Sequence, residues 1–157
     1  MAAMNRRDLC LSAGAFAALG LLAEAQDPAT HGPNAGDTTD MTKSRVFHFD
    51  QLMVDQHPNG GWGRQVMHGT LPTGEFVEVH ETMLPPGQMP HPPHKHRNTE
   101  FVLIREGNVE YWGEDGKHEP MGPGDIVYTA SNQMHGMKNT GTTNASYFVV
   151  SISRGQM

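Results

Sequence analysis

Short apolar segments alternate with turn signals after residue 44, and this alternation limits the folds that the chain can adopt. The segments are rich in Val, Phe, Tyr and Ile, whereas many of the 18 glycines and 11 prolines lie between them. Such runs bounded by Gly and Pro are typical of strands. No segment beyond residue 25 has convincing helical periodicity. Short strands at regular spacing predict an all-β sandwich or barrel, and a jelly roll is one standard arrangement.

Eight strands are predicted from this pattern. Turn sequences such as Pro58-Asn59-Gly60-Gly61 and Gly122-Pro123-Gly124 separate them. The predicted strands are residues 45–52, 64–70, 75–84, 99–106, 108–112, 125–129, 135–138 and 145–151. The sequence contains no visible duplication, so a single barrel over residues 45–157 is expected.

The first 25 residues have the organisation of an export signal. Arg6 and Arg7 precede an apolar run that ends in Ala23-Glu24-Ala25, and a small-x-small site after such a run is typical of a signal peptide. The two arginines with Leu9 resemble a twin-arginine signal, which would direct the mature chain to a bacterial periplasm. Residues 26–44 are polar, contain Gly and Pro and have no apolar period, so they are predicted to be a flexible linker.

Charge and cysteine content exclude several classes of partner and stabilisation. The net charge is −6, and beyond Arg6 and Arg7 there is no cluster of Lys and Arg. Nucleic acids and anionic membranes are bound by basic patches, so neither is expected as a partner, and no membrane attachment is expected after cleavage. Cys10 is the single cysteine and lies in the leader, so the mature chain forms no internal disulfide. A small-molecule partner fits this composition better.

Three potential metal ligands lie at even-numbered positions within seven residues, namely His94, His96 and Glu100. Side chains of an extended chain alternate between two faces, so these three share one face. Imidazole with carboxylate suits one divalent transition metal ion, whether Fe, Mn, Ni, Cu or Zn, whereas calcium takes oxygen ligands. The pattern predicts a transition-metal site that needs a further ligand.

The same alternation predicts which face of the strand each residue after Glu100 occupies. Val102 and Ile104 continue the parity of the ligands, so they are expected to form an apolar floor beneath the site. Phe101 and Leu103 are expected on the opposite face. Small proteins of this kind can pair through such an outer face, and a homodimer is therefore an open expectation.

The spacing His94-x-His96-x-x-x-Glu100, followed after six residues by Gly107, resembles the first conserved motif of the cupin superfamily. Residues 124–139 are similar to its second motif, which supplies a later histidine. The resemblance implies a single-domain cupin jelly-roll β-barrel. It also implies one metal ion held by four ligands, which are His94, His96, Glu100 and His135.

Two positions of the second motif depart from the family pattern. Ala130 replaces a proline and Asn132 replaces a glycine. Asparagine tolerates a left-handed backbone conformation better than most residues, so the turn at Asn132 is expected to survive. Neither change removes a ligand.

Three further residues are candidate proton carriers at the predicted site. The strand before the first motif generally lines the barrel in cupins, which places His80 towards the interior, and Glu78 shares its face. Either could orient a ligand or move a proton. Tyr128 is a third candidate, on the evidence of its position along a predicted strand alone.

Cupins with three histidines and one glutamate include dioxygenases, decarboxylases, lyases and isomerases, and the fold does not choose among them. The resemblance leads us to expect a small metal-dependent oxidoreductase of dioxygenase type that acts on a small chelating substrate. Two alternatives stay open. One is a non-catalytic protein that binds metal or a small ligand, and the other is a Lewis-acid lyase or isomerase.

Overall fold

The computed structural model describes residues 39–154, which contain nine β-strands and one short 3-10 turn at Phe49–Gln51. Strands β1 to β9 are Val54–Gln56, Trp62–Thr70, Glu75–Leu84, Thr99–Glu106, Val109–Trp112, His118–Met121, Ile126–Thr129, Gly136–Asn139 and Ala145–Arg154. Within this range no helix is long and apolar enough to cross a membrane.

The strands form two antiparallel sheets that face each other. The larger sheet has the order β1-β2-β3-β9-β4-β7 and the smaller one β6-β5-β8. The Tyr111 hydroxyl of β5 lies 3.1 Å from the Thr129 hydroxyl of β7 and joins the sheets across the interior. The prediction of an all-β cupin jelly roll is confirmed.

The alternation predicted for β4 is also confirmed. Val102 and Ile104 are 5% and 3% exposed, and they belong to the hydrophobic core. Phe101 and Leu103 are 37% and 38% exposed. Because successive side chains of a strand leave opposite faces of the sheet, this alternation fixes which residues reach the cavity between the sheets.

The strand predicted over residues 45–52 is wrong. That segment contains the 3-10 turn, and its Phe49 is held by tertiary contacts. The Phe49 ring centre lies 4.1 Å from the guanidinium carbon of Arg64 and 4.8 Å from that of Arg105. Arg64 Nη1 also donates to the Phe49 carbonyl oxygen. These long-range cation–π contacts outweigh the local preference for an extended strand.

A buried ion pair lies on the outer face of the large sheet. Glu81 is fully buried and accepts a hydrogen bond from Arg105 at 2.6 Å. Burial raises the pKa of Glu81 despite this cation. Arg105, one of the two arginines that contact Phe49, therefore also joins β4 to β3.

Strand β6, His118–Met121, was missing from the sequence prediction. It contains Pro120 and three exposed residues, so it has neither an apolar run nor a period of two. It pairs only with β5 at the edge of the smaller sheet. Proline is tolerated at such an edge because its missing N–H removes no interior ladder bond.

The predicted signal peptide of residues 1–25 lies outside the described residues, as do residues 26–38 and 155–157. The export signal and the linker therefore stay predictions. The Thr39 amide donates to the His68 carbonyl oxygen at 2.8 Å, so the described end of the predicted linker contacts β2.

Candidate metal centre

The backbones of the two motif segments pair directly and bring their histidines together. His94 and His135 form an antiparallel bridge in which each amide donates to the other carbonyl oxygen at 2.9 Å. The Asn132 amide donates to the His96 carbonyl oxygen at 2.7 Å. Asn132 has a φ of 60°, so the left-handed conformation predicted for it is confirmed.

Three imidazoles converge as a result. One nitrogen from each of His94, His96 and His135 lies within 4.8 Å of the other two. Their ring centres are 4.7 to 5.1 Å apart. This cluster has the dimensions to hold one metal ion.

The Glu100 carboxylate lies against two of these rings. Its Oε1 is 3.2 Å from His96 Nε2, and its Oε2 is 3.5 Å from His135 Nε2. His135 Nδ1 lies 2.9 Å from the Gln133 carbonyl oxygen, to which it can only donate, so the lone pair of a neutral His135 is on Nε2. A lone pair that faces a carboxylate calls for a cation between them, and the donor set therefore fits a transition metal ion.

The protonation states of Glu100 and His94 also fit a metal site. Burial alone would raise the pKa of Glu100, but its contacts with the His135 and His96 imidazoles outweigh burial and hold the pKa well below its usual range. Burial and the neighbouring histidines lower the pKa of His94 to about 4. At neutral pH Glu100 is thus a carboxylate and His94 a neutral imidazole, which are the forms that bind metal.

The stability of the metal-free protein is expected to fall as the pH is lowered from 6.5 to 4. In the unfolded chain His94 takes up a proton near its ordinary pKa of 6.5, whereas in the folded protein it does so only near 4. The unfolded state therefore binds more protons in this window, and the free energy of unfolding rises with pH. Thermal melts of the chelator-treated protein across this range test it. The decrease in melting temperature per pH unit should be smaller in His94→Gln than in the wild type. An equal decrease in both proteins would contradict the lowered pKa of His94.

A cavity of about 1160 Å³ opens beside the histidine cluster. Val102, Tyr147 and Val149 form apolar parts of its wall, and His91 and Met89 line its loop side. The His91 ring centre lies 4.1 Å from that of His94, edge to face. The cluster is thus reached from a cavity of the size that holds small ligands.

Comparison with known proteins agrees with this geometry. Residues 80–151 match the family model for the cupin domain. No curated protein matches the sequence.

Solved structures of cupins and related proteins have a fold similar to that of this chain. A predicted oxalate decarboxylase from Thermotoga maritima has a TM-score of 0.57 at 25% identity, over 69% of this chain and 98% of its own. The polyketide cyclase RemF from Streptomyces resistomycificus has a TM-score of 0.58 at 20% identity, over 73% of this chain and 82% of its own. KdgF from Halomonas sp. has a TM-score of 0.59 at 18% identity, over 71% of this chain and 96% of its own. The similarity establishes the fold, whereas the reactions named for these proteins are theirs.

Glu78 and His80 both lie on the wall of the cavity, as predicted from the face that they share. Both line it, and His80 Nδ1 lies 3.4 Å from Glu78 Oε1. The contact with His80 lowers the pKa of Glu78 in spite of burial. The two residues form a second polar group in the cavity, on a different strand from Glu100.

Tyr128, the third candidate proton carrier, is not brought to the cavity. It is 58% exposed, and its ring centre lies 5.3 Å from that of Phe101 on the outer face of the large sheet. Its partner in the register is Phe101, so the alternation of β4 and β7 directs both side chains outward. The exposed side chains Phe101, Leu103, Ile126 and Tyr128 share this face, and a homodimer through it stays a prediction.

Asn98 and Ser151 are among the cavity residues that the sequence prediction missed. Asn98 Nδ2 donates to the Ser151 hydroxyl at 3.0 Å, and both residues line the cavity. The parity that selected His96 and Glu100 also selects Asn98, so a signal for it was present. Ser151 is brought to the cavity by the pairing of β9 with β3 and β4, which no local pattern reveals.

Proposed function

We propose that this cupin is a metal-dependent oxidoreductase of dioxygenase type that acts on a small chelating substrate. One divalent transition metal ion would be held by His94, His96, Glu100 and His135. The observation that carries the proposal is the position of the Glu100 carboxylate, within 3.5 Å of nitrogens of two of the three clustered imidazoles. A set of three nitrogens and one carboxylate suits redox-capable ions such as Fe, Mn, Ni and Cu.

The chain supplies orientation and shielding in this proposal. The hydrogen bond from His135 Nδ1 to the Gln133 carbonyl oxygen fixes the ring so that Nε2 faces Glu100. Buried Val102 and Val149 make part of the cavity wall apolar, which limits water beside the ligands and strengthens electrostatic interactions there. When bound, a redox-capable ion would supply electron transfer between a chelated substrate and dioxygen.

Oxygen uptake tests the proposed function. Protein loaded separately with Fe, Mn, Ni or Cu is incubated without air with catechols, flavonols or diketones, and oxygen is then admitted. We expect uptake with at least one pairing of metal and substrate, and its loss in Glu100→Ala. Absence of uptake from every pairing, with metal shown to be bound, would contradict the dioxygenase assignment.

A Lewis-acid lyase or isomerase is the second candidate. The Glu78–His80 pair favours it, because proton transfer is the central step of such reactions and needs no oxygen. Turnover by the zinc form under nitrogen would select this class. If that form turned over no substrate and no metal form consumed oxygen, the chain would instead be a binding protein for metal or a small ligand.

A further inference from the structure

The Glu78–His80 pair lies in line with the metal cluster across the sheet. Ser151 of β9 is the register partner of Glu78 on β3 and also of Glu100 on β4. Neighbouring strands lie ~4.8 Å apart, so the backbones of Glu78 and Glu100 are about 10 Å apart. The side chains of both line the same cavity. A ring-sized molecule bound between them would touch both groups.

The pair has the arrangement of a proton acceptor with an orienting carboxylate. His80 Nδ1 is buried and faces Glu78 Oε1 at 3.4 Å, so Nε2 is the nitrogen left to face the cavity. Glu78 is ionised at neutral pH, because its contact with His80 lowers its pKa and the charges of His80 and His68 act in the same direction, although burial and Glu100 oppose them. A carboxylate at this distance orients the imidazole ring.

The cavity offers little else to bind an anion. Among the described residues that line it, Arg64 is the one Lys or Arg, whereas Asp55, Glu78 and Glu100 are acidic. The Arg64 guanidinium is already engaged, since it donates to the Phe49 carbonyl oxygen and lies over the Phe49 ring. Substrates rich in carboxylate or phosphate would therefore meet no free cationic side chain in the described part of the cavity.

We propose that His80, oriented by Glu78, accepts a proton from a substrate hydroxyl, and that the substrates are uncharged chelators bearing such a hydroxyl, of catechol or enol type. This inference rests on the proposed metal site. The O–H bond breaks, its electron pair stays on the substrate oxygen, and the proton forms an N–H bond at His80 Nε2. The imidazolium is balanced by Glu78, and the substrate oxygen keeps the negative charge.

Proton counting during binding tests this role without turnover. Zinc-loaded protein is titrated with catechol, which is uncharged at neutral pH, in a calorimeter in two buffers of different ionisation enthalpy. If His80 keeps the proton, the wild type releases about one proton fewer to solvent than His80→Asn does. The variant should also bind catechol about tenfold more weakly, since a hydrogen bond to a charged group is lost. Glu78→Gln should change the proton count in the same direction.

Two controls make the outcome specific. His118→Asn removes another histidine paired with a glutamate, at 3.2 Å from Glu110 on the smaller sheet, and should change neither quantity. Oxalate has no proton to give at neutral pH, so its binding should not respond to His80→Asn. Equal proton counts in wild type and His80→Asn, or no binding of catechol to zinc-loaded protein, would overturn the inference. Failure to load zinc would instead count against the proposed function.

Discussion

Replacing His135 with alanine is expected to lower the affinity for Zn²⁺ by at least about 100-fold, because loss of a ligand costs more than loss of a residue that only orients one. His135 is the proposed ligand that joins the two motif segments, and its ring also contacts those of His94 and His96. Competition with a chromophoric chelator measures the affinity. Glu100→Gln should lower it as well, since the charge opposite His96 and His135 is removed.

His118→Ala is the matched control for the His135 variant. His118 is half exposed and stacks on Trp112 at the edge of the smaller sheet, with ring centres 4.5 Å apart. Its loss should leave the affinity for Zn²⁺ unchanged. An affinity for Zn²⁺ in folded His135→Ala equal to that of the wild type would show that the ion binds elsewhere.

Gly107→Ala is expected to destabilise the fold by about 3 kcal/mol, from ~1 kcal/mol or more of backbone strain and a further cost of overpacking. Gly107 has a φ of 77°. A Cβ atom there would lie 2.6 Å from both the Ala145 Cα and the Asn144 carbonyl oxygen. Both are backbone atoms at the start of β9, so they cannot move aside like the end of a side chain. Urea denaturation measures the loss.

Gly116→Ala separates the backbone strain from the overpacking. Gly116 has nearly the same φ, 74°, but a Cβ atom there would meet no atom within 4 Å. Only the backbone strain remains, so the expected cost is about 1 kcal/mol. Equal destabilisation by the two substitutions would show that the close approach of β9 to Gly107 is not what requires a glycine.

The strands that the sequence predicted well are those with a clear local signal. β3 and β4 have the predicted bounds, because both are long, rich in β-branched residues and ended by Gly or Pro turns. The segment at Phe49 and strand β6 were mispredicted for the opposite reason. Phe49 is positioned by arginines from β2 and β4, and β6 exists through its pairing with β5. Contacts distant in sequence decide both.

In the candidate site, too, local sequence patterns placed some residues, whereas contacts distant in sequence placed others. A period of two sufficed to place Glu100 and Val102 on one face and Phe101 on the other. Tyr128 shows where that reasoning stops, because its strand has no apolar alternation that identifies the inner face. Its register with Phe101 directs it outward. The position of His135 beside His94 likewise depends on a bridge between distant segments, and only the family resemblance pointed to it.

The X-ray absorption spectrum of the protein, recorded at the edge of the metal it carries when purified from its native source, tests the central claim most directly. The four-ligand site predicts about one transition metal ion per chain. It also predicts nitrogen and oxygen neighbours at about 2.0–2.2 Å for a zinc-like ion and outer-shell scattering from three imidazoles. A spectrum without imidazole scattering, or protein that carries no transition metal and binds none when it is added, would contradict it.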